Sequence, residues 1–218
     1  MIIIIGKGHG GTRAISRTLV ESGIYMGNLN ESYDHIPAEL AYQACQIIGE
    51  HMKLPWDFSA FPETPSVEFV KKMECYLAPI LNHKEPRGWK LPETTLMYPW
   101  IVKMFPDAHY IHWVRNPLDS IQGEHVTDDL KRFNVPTFPI DNPSLISKDN
   151  ILNKRYQSWL YQEALIECTP RPRKFLSVWF EDFILKQEET IRKIEKFLNI
   201  PLVYIPVDKK AVGRYLIS

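Results

Sequence analysis

Three stretches of this 218-residue chain combine residue types and spacings that suit an anion. The first is Gly6-Lys7-Gly8-His9-Gly10-Gly11-Thr12-Arg13, which places four glycines within six positions. Glycine adopts backbone angles that other residues avoid, so such a loop turns sharply and brings its N–H groups close to a ligand. A helical pattern follows, with Ile15, Leu19 and Val20 on one face. Its N-terminus adds unpaired N–H groups and the positive end of a helix dipole, and phosphate is the anion that fits best. A turn that binds nothing needs one glycine rather than four.

The other two stretches each end a predicted strand on a cation. Gly88-Trp89-Lys90-Leu91-Pro92 reads as a short strand stopped by proline, with Lys90 near its end. His109 to Val114 is β-branched and aromatic, which argues for a strand, and it runs into Arg115-Asn116-Pro117. Pro117 suits a first helical turn, so Arg115 falls at a strand-to-helix junction, where its guanidinium can offer a fork of donors. A solvated lysine and a surface salt bridge are the plain alternatives for these two side chains.

The elements that must position these groups alternate strand and helix. Ile2 to Ile5 is a short apolar run bounded by glycine, as expected of a strand buried on both faces. Helical spacing is predicted over 38–51, 67–81, from Thr94 or Thr95 to about Met104, over 151–168, and in one long helix from Glu181-Asp182 to Leu198. Phe175 to Phe180 reads as a further strand, and Val126 to Asp149 as a polar, proline-bearing lid or acceptor loop. The expected fold is a three-layer α/β/α domain over residues 1–218 with a mainly parallel central sheet. Ligands of such sheets bind beyond the carboxyl ends of the strands, where all three stretches converge.

Composition narrows the function classes. Lys+Arg and Asp+Glu are 26 each, so no global charge draws the chain to nucleic acid or an anionic membrane, and any anion site is local. The longest clean apolar run is far below a membrane span, and no signal-peptide pattern is present. Cys45, Cys75 and Cys168 are odd in number and widely spaced, which predicts buried thiols in a reducing compartment and a cytoplasmic protein. The seven histidines show no metal-ligand spacing.

In order, these stretches resemble the sulfotransferase family that uses 3′-phosphoadenosine 5′-phosphosulfate (PAPS), on a fold similar to that of the P-loop nucleotide hydrolases. The family shows a basic-Ser-Gly-Thr loop, a Lys-x-Pro or Lys-x-His strand end, Phe-Pro-x-Ala, and then a strand followed by Arg-Asp/Asn-Pro. Here Phe105-Pro106-Asp107-Ala108 stands third, and Val178-Trp179-Phe180-Glu181-Asp182-Phe183 resembles the family's Tyr-Glu-Asp-Leu segment. The likeness spans roughly residues 2 to 200. It implies PAPS as co-substrate, no metal, and a small-molecule or glycan acceptor. By the same likeness Gly8, His9, Gly10, Gly11, Thr12 and Arg13 bind the 5′ end, while Arg115 takes the 3′-phosphate. Lys90 then neutralises charge on the transferring group. Ser120 stands in for the family's serine, whose position is Gly123, and Lys210 and Arg214 match a basic C-terminal segment that closes over the 3′-phosphate. His9 and Gly10 depart from the basic residue and serine of the loop.

Pro92 occupies the place of the family's catalytic histidine, which leaves a carboxylate as base. Asp34 and Glu31, in the polar loop after the first helix, come first, with His35 and Glu93 behind them. Trp159 or Tyr156 could stack on the adenine, and the aromatic loop of Trp56, Phe58 and Phe61 would tolerate a carbohydrate acceptor. Two other readings stay open. A P-loop kinase lacks support because Thr12-Arg13 stands where a Walker A loop has Lys-Ser/Thr. A non-catalytic nucleotide-binding protein on the same fold is suggested by His9, Gly10 and Gly123.

Overall fold

The structure, a computed structural model, describes residues 1–139 and 148–216. Four parallel strands form its sheet: β1 (Ile2–Ile5), β2 (Gly88–Lys90), β3 (His109–Val114) and β4 (Phe175–Trp179), in the order β2-β1-β3-β4. Ile2 to Ile5 pair on one side with His109 to His112, and Ile2 to Ile4 on the other with Gly88 to Lys90. All four isoleucines are buried, as the bounded apolar run predicts for a central strand.

Alternation along β1 builds the layers. Ile3 and Ile5 pack in one core with residues of α2 (Glu39–Gly49), α3 (Val67–Leu81), α4 (Tyr98–Met104) and α6 (Lys148–Cys168). Ile2 and Ile4 face the opposite way, into a second core with α1 (Thr12–Glu21), α7 (Phe180–Leu185) and α8 (Gln187–Leu198). A period of two in the strand thus sorts the helices onto two faces. The short α5 (Pro117–Ser120) follows β3, capped by the Asn116 side chain, which accepts from the Leu118 N–H at 2.9 Å.

Several expectations are corrected. Residues Pro92–Met97 form a 3₁₀ helix, and α4 begins only at Tyr98. Thr95 does not cap it, because its hydroxyl is engaged with Gly6. The long C-terminal helix is broken at Lys186, whose backbone is not helical, giving α7 and α8. The first part of the expected lid is packed structure. Leu130, Phe133 and Val135 are buried in the core beside α2, and 140–147 lies outside the described residues. Of the three cysteines only Cys45 is buried. None of the helices among the described residues is long and apolar enough to cross a membrane.

Candidate active site

At the carboxyl end of β1 the loop is fixed before it turns. The Gly6 N–H donates to the Thr95 hydroxyl at 2.8 Å, and that hydroxyl donates back to the Gly6 carbonyl at 3.1 Å. A turn follows, closed by the Gly10 N–H on the Lys7 carbonyl at 2.9 Å. Gly11 takes the N-cap of α1 with φ +82°, a left-handed conformation that a side chain would strain. A Cβ there would also lie 2.5 Å from the Phe180 ring. No side chain caps α1, and of its first-turn N–H groups that of Ala14 donates to the Gly11 carbonyl at 3.0 Å, which leaves those of Thr12 and Arg13 for a ligand or solvent. Gly11, Thr12 and Arg13 all line a cavity of about 490 Å³.

The same cavity collects the other two stretches. Lys90 reaches it from the end of β2 and Arg115 from the end of β3. Among its described lining residues are five fixed cations (Arg13, Arg17, Lys90, Arg115 and Arg214) against two carboxylates, Asp34 and Asp208. The chain as a whole is neutral, so this excess is a local field suited to an anion. One wall is apolar, formed by Phe180, Ile184, Ile205 and Val207.

Lys90 is almost fully buried. Its ammonium donates to the Ser32 carbonyl at 2.7 Å and pairs with Asp34 Oδ1. Burial holds the Lys90 pKa below its ordinary value, with Asp34 opposing. Asp34 is positioned by Asn30, whose Oδ1 accepts from the Asp34 N–H at 3.0 Å. Glu31 is exposed and does not line the cavity, so the structure separates the two carboxylates taken first as bases. His35 is structural: its ring is buried and bonds the Tyr76 carbonyl and the Asn28 backbone. Glu93 is buried just beyond Pro92, and loss of solvent raises its pKa to about 7.

Arg115 is buried and already engaged. Its guanidinium donates to the His9 carbonyl at 3.0 Å and to the Ala211 carbonyl, lies 4.6 Å from the Phe180 ring centroid, and leaves Nε without a partner among the described residues. The Asp119 carboxylate, 3.9 Å away, accepts from the N–H groups of Gly213 and Tyr215 at 2.8 and 3.1 Å. The C-terminal segment is thus tied across the site. Arg214 lines the cavity, whereas Lys210 is exposed and does not. Ser120 is buried, its hydroxyl has no partner among the described residues, and it lies outside the cavity lining. Gly8 and Gly10 are buried in the loop without lining it.

Two departures from the resemblance fit together in space. A Cβ on Gly123 would sit 2.3 Å from the His9 Nδ1, so the His9 ring fills the volume a serine side chain would need. His9 is no fixed cation, because desolvation and nearby Lys7 lower its pKa, with a bond to the Glu124 backbone opposing. Lys7, within the glycine loop, is buried and ion-paired to Asp128 Oδ1 at 2.7 Å. Sequence reading missed Phe180, His125 and the segment 205–208 as cavity walls. Only Phe180 carried a signal, standing two residues after Val178 in the segment already singled out. The candidate stacking residues Tyr156 and Trp159 stack on each other, with ring planes at 14°, and neither lines the cavity. Trp56 and Phe58 pack on Tyr161, and with Phe61 they cover the core rather than the site.

A family model described as "Sulfotransferase family" matches residues 2–204, and the chain belongs to that family. Similar solved structures include the sulfotransferase domain from the curacin biosynthetic pathway, at 15% identity, 99% and 77% coverage of this chain and that one, and a TM-score of 0.49. The sulfotransferase domain from the Synechococcus PCC 7002 olefin synthase is 15% identical, with coverage of 100% and 82% and a TM-score of 0.49. Sulfotransferase STF9 from Mycobacterium avium is 15% identical, with coverage of 99% and 66% and a TM-score of 0.44. No curated protein matches the chain.

Proposed function

We propose that this protein is an enzyme that transfers a sulfuryl group from PAPS to the hydroxyl of a small-molecule acceptor. The observation that carries the reading is the convergence of the open α1 N-terminus, Lys90 and Arg115 on one cavity. PAPS bears charge at a 5′-phosphosulfate and at a separate 3′-phosphate, and so needs two anion sites. The α1 N–H groups with Thr12 and Arg13 suit the first, Arg115 with Arg214 the second, and the wall of Phe180, Ile184 and Ile205 suits the adenine.

In the transfer, the acceptor oxygen bonds to sulfur as the bond from sulfur to the phosphate oxygen breaks, and adenosine 3′,5′-bisphosphate leaves. Lys90 stabilises the charge that develops on the leaving oxygen. Asp34, beside Lys90 on the cavity wall, accepts the acceptor's proton. Within this proposal Lys90 leaves Asp34 for the transferring group, which frees the carboxylate to act as base. The aromatic loop of Trp56, Phe58 and Phe61 packs against the core and does not line this cavity, so the proposal rests on no carbohydrate platform there. A cytoplasmic site of action remains part of the proposal, resting on three cysteines that are free thiols.

A thermal-shift titration with adenosine 3′,5′-bisphosphate, against 5′-AMP and ATP with magnesium, tests the reading. A ligand at ~100 times its dissociation constant that binds only the folded state stabilises by about 2.7 kcal/mol. Stabilisation by the bisphosphate above both controls, followed by its release from PAPS with a panel of hydroxyl acceptors, is the expected result. Preference for ATP with magnesium overturns it in favour of a kinase, and tight bisphosphate binding without transfer to any acceptor indicates a binding protein.

A further inference from the structure

His125 belongs to none of the three stretches, yet its side chain lines the cavity. It stands at the start of the 3₁₀ turn Val126–Asp128, where its ring caps the turn. Nδ1 accepts from the Thr127 backbone N–H at 3.2 Å and lies 3.0 Å from the Thr127 hydroxyl. A backbone N–H can only donate, so Nδ1 carries no proton, and the proton of the neutral ring resides on Nε2. The Cγ, Nδ1 and Cδ2 side of the ring packs on Gly8, where a Cβ would lie 2.1 to 2.5 Å from those atoms. Nε2 has no hydrogen-bond partner among the described residues. The turn itself is held by Asp128, whose Oδ2 accepts from the His125 N–H at 2.7 Å and whose Oδ1 binds Lys7.

We propose that His125 is a neutral hydrogen-bond donor that presents Nε2–H to the sulfuryl end of the donor substrate, on the side of the glycine loop facing Lys90. This rests on the sulfotransferase reading above. Burial and the neighbouring Lys7, His9 and Lys90 keep the ring uncharged, with a pKa lowered to about 3. A donor of this kind holds an anionic oxygen without changing protonation as the reaction proceeds. It also explains how the loop functions with His9 in place of a fixed cation, since a second N–H from the opposite wall contributes to the same region.

Two substitutions separate the donor from the cap. His125→Asn keeps an acceptor where Nδ1 caps Thr127 but cannot reach the Nε2 position. His125→Gln does the reverse, placing an amide N–H near Nε2 and losing the cap. Calorimetric binding of PAPS and of adenosine 3′,5′-bisphosphate, which lacks only the sulfuryl group, is measured for the wild type and both variants. The expected result for His125→Asn is a loss of about tenfold in PAPS affinity, with bisphosphate affinity within twofold of wild type. His125→Gln should recover most of the PAPS affinity while melting at a lower temperature. An unchanged ratio of the two affinities in His125→Asn overturns the inference, as does equal loss of both ligands. Failure of wild-type protein to bind either nucleotide instead sinks the underlying reading, so the two failures are distinguishable.

Discussion

The two proposed anion subsites at the carboxyl end of the sheet are built from similar parts and left in different states. Around the glycine loop, the first N–H groups of α1 are uncapped and open to the cavity. At the end of β3 the cation is present, but the chain's own carbonyls at His9 and Ala211 hold it. The first subsite is ready for an anion before one arrives. The second already gives two of its donors to internal hydrogen bonds, so fewer of them are free for an anion, and any bond it exchanges reduces its net contribution to affinity. Ala211 belongs to the segment tied down by Asp119, so Arg115 links the proposed 3′-phosphate subsite to the C-terminal segment. Lys90 is intermediate: it faces the open side but is paired with Asp34, which is one of the two lining carboxylates.

Perturbing each side should give effects of different size and kind. The largest is expected for Lys90→Ala, which should lower the rate of bisphosphate release from PAPS by about 10²- to 10³-fold. Bisphosphate affinity measured by calorimetry should change far less, and a comparable loss in both would place Lys90 in binding rather than in transfer. Next is Arg115→Ala, expected to weaken adenosine 3′,5′-bisphosphate by roughly 30-fold while leaving 5′-AMP within about twofold. Parallel loss of both ligands would mean that Arg115 serves the 5′ subsite through its bond to the His9 carbonyl.

Glu93, beneath the open side, links preorganisation to pH. Its pKa is raised to about 7 because burial penalises the carboxylate. The folded chain therefore binds a proton that the unfolded chain has released between about pH 4.5 and 7. Stability from this group is fully present below that window and is lost as pH rises through it. Glu93→Gln should remove the slope and stabilise the protein at pH 8 by about 1–3 kcal/mol, as read by urea denaturation at several pH values. An unchanged slope would mean that another group titrates. The smallest effect is expected for Asp119→Asn, which keeps one acceptor for the Gly213 and Tyr215 N–H groups. Bisphosphate affinity should fall by about threefold through faster release, seen by stopped-flow, with 5′-AMP unaffected. Equal acceleration for both nucleotides would show that the C-terminal segment covers the whole cavity rather than the second subsite.

Much of the scaffold was legible because its signals are local. The four isoleucines, the aromatic strand from His109 and α3 declare themselves through residue type and spacing within a few positions. Lys90 and Arg115 were legible for the same reason, as cations at the ends of such strands. The boundaries that shifted did so where a side chain was engaged elsewhere. Thr95 could not be read as an anchor for Gly6, because nothing near position 95 points to a residue 89 positions earlier.

What the sequence determined by itself is the sheet, the glycine loop and the family, all carried by short periodicities and ordered motifs. Only the tertiary structure decided which charges are available. It buried Lys7 against Asp128, set Asp34 rather than Glu31 beside Lys90, turned His125 toward the glycine loop and closed the Ala211 carbonyl onto Arg115. Each of these joins residues distant in the chain. The strength of a charge or a hydrogen bond depends on burial and on the partner that reaches it, and both are properties of the packed fold.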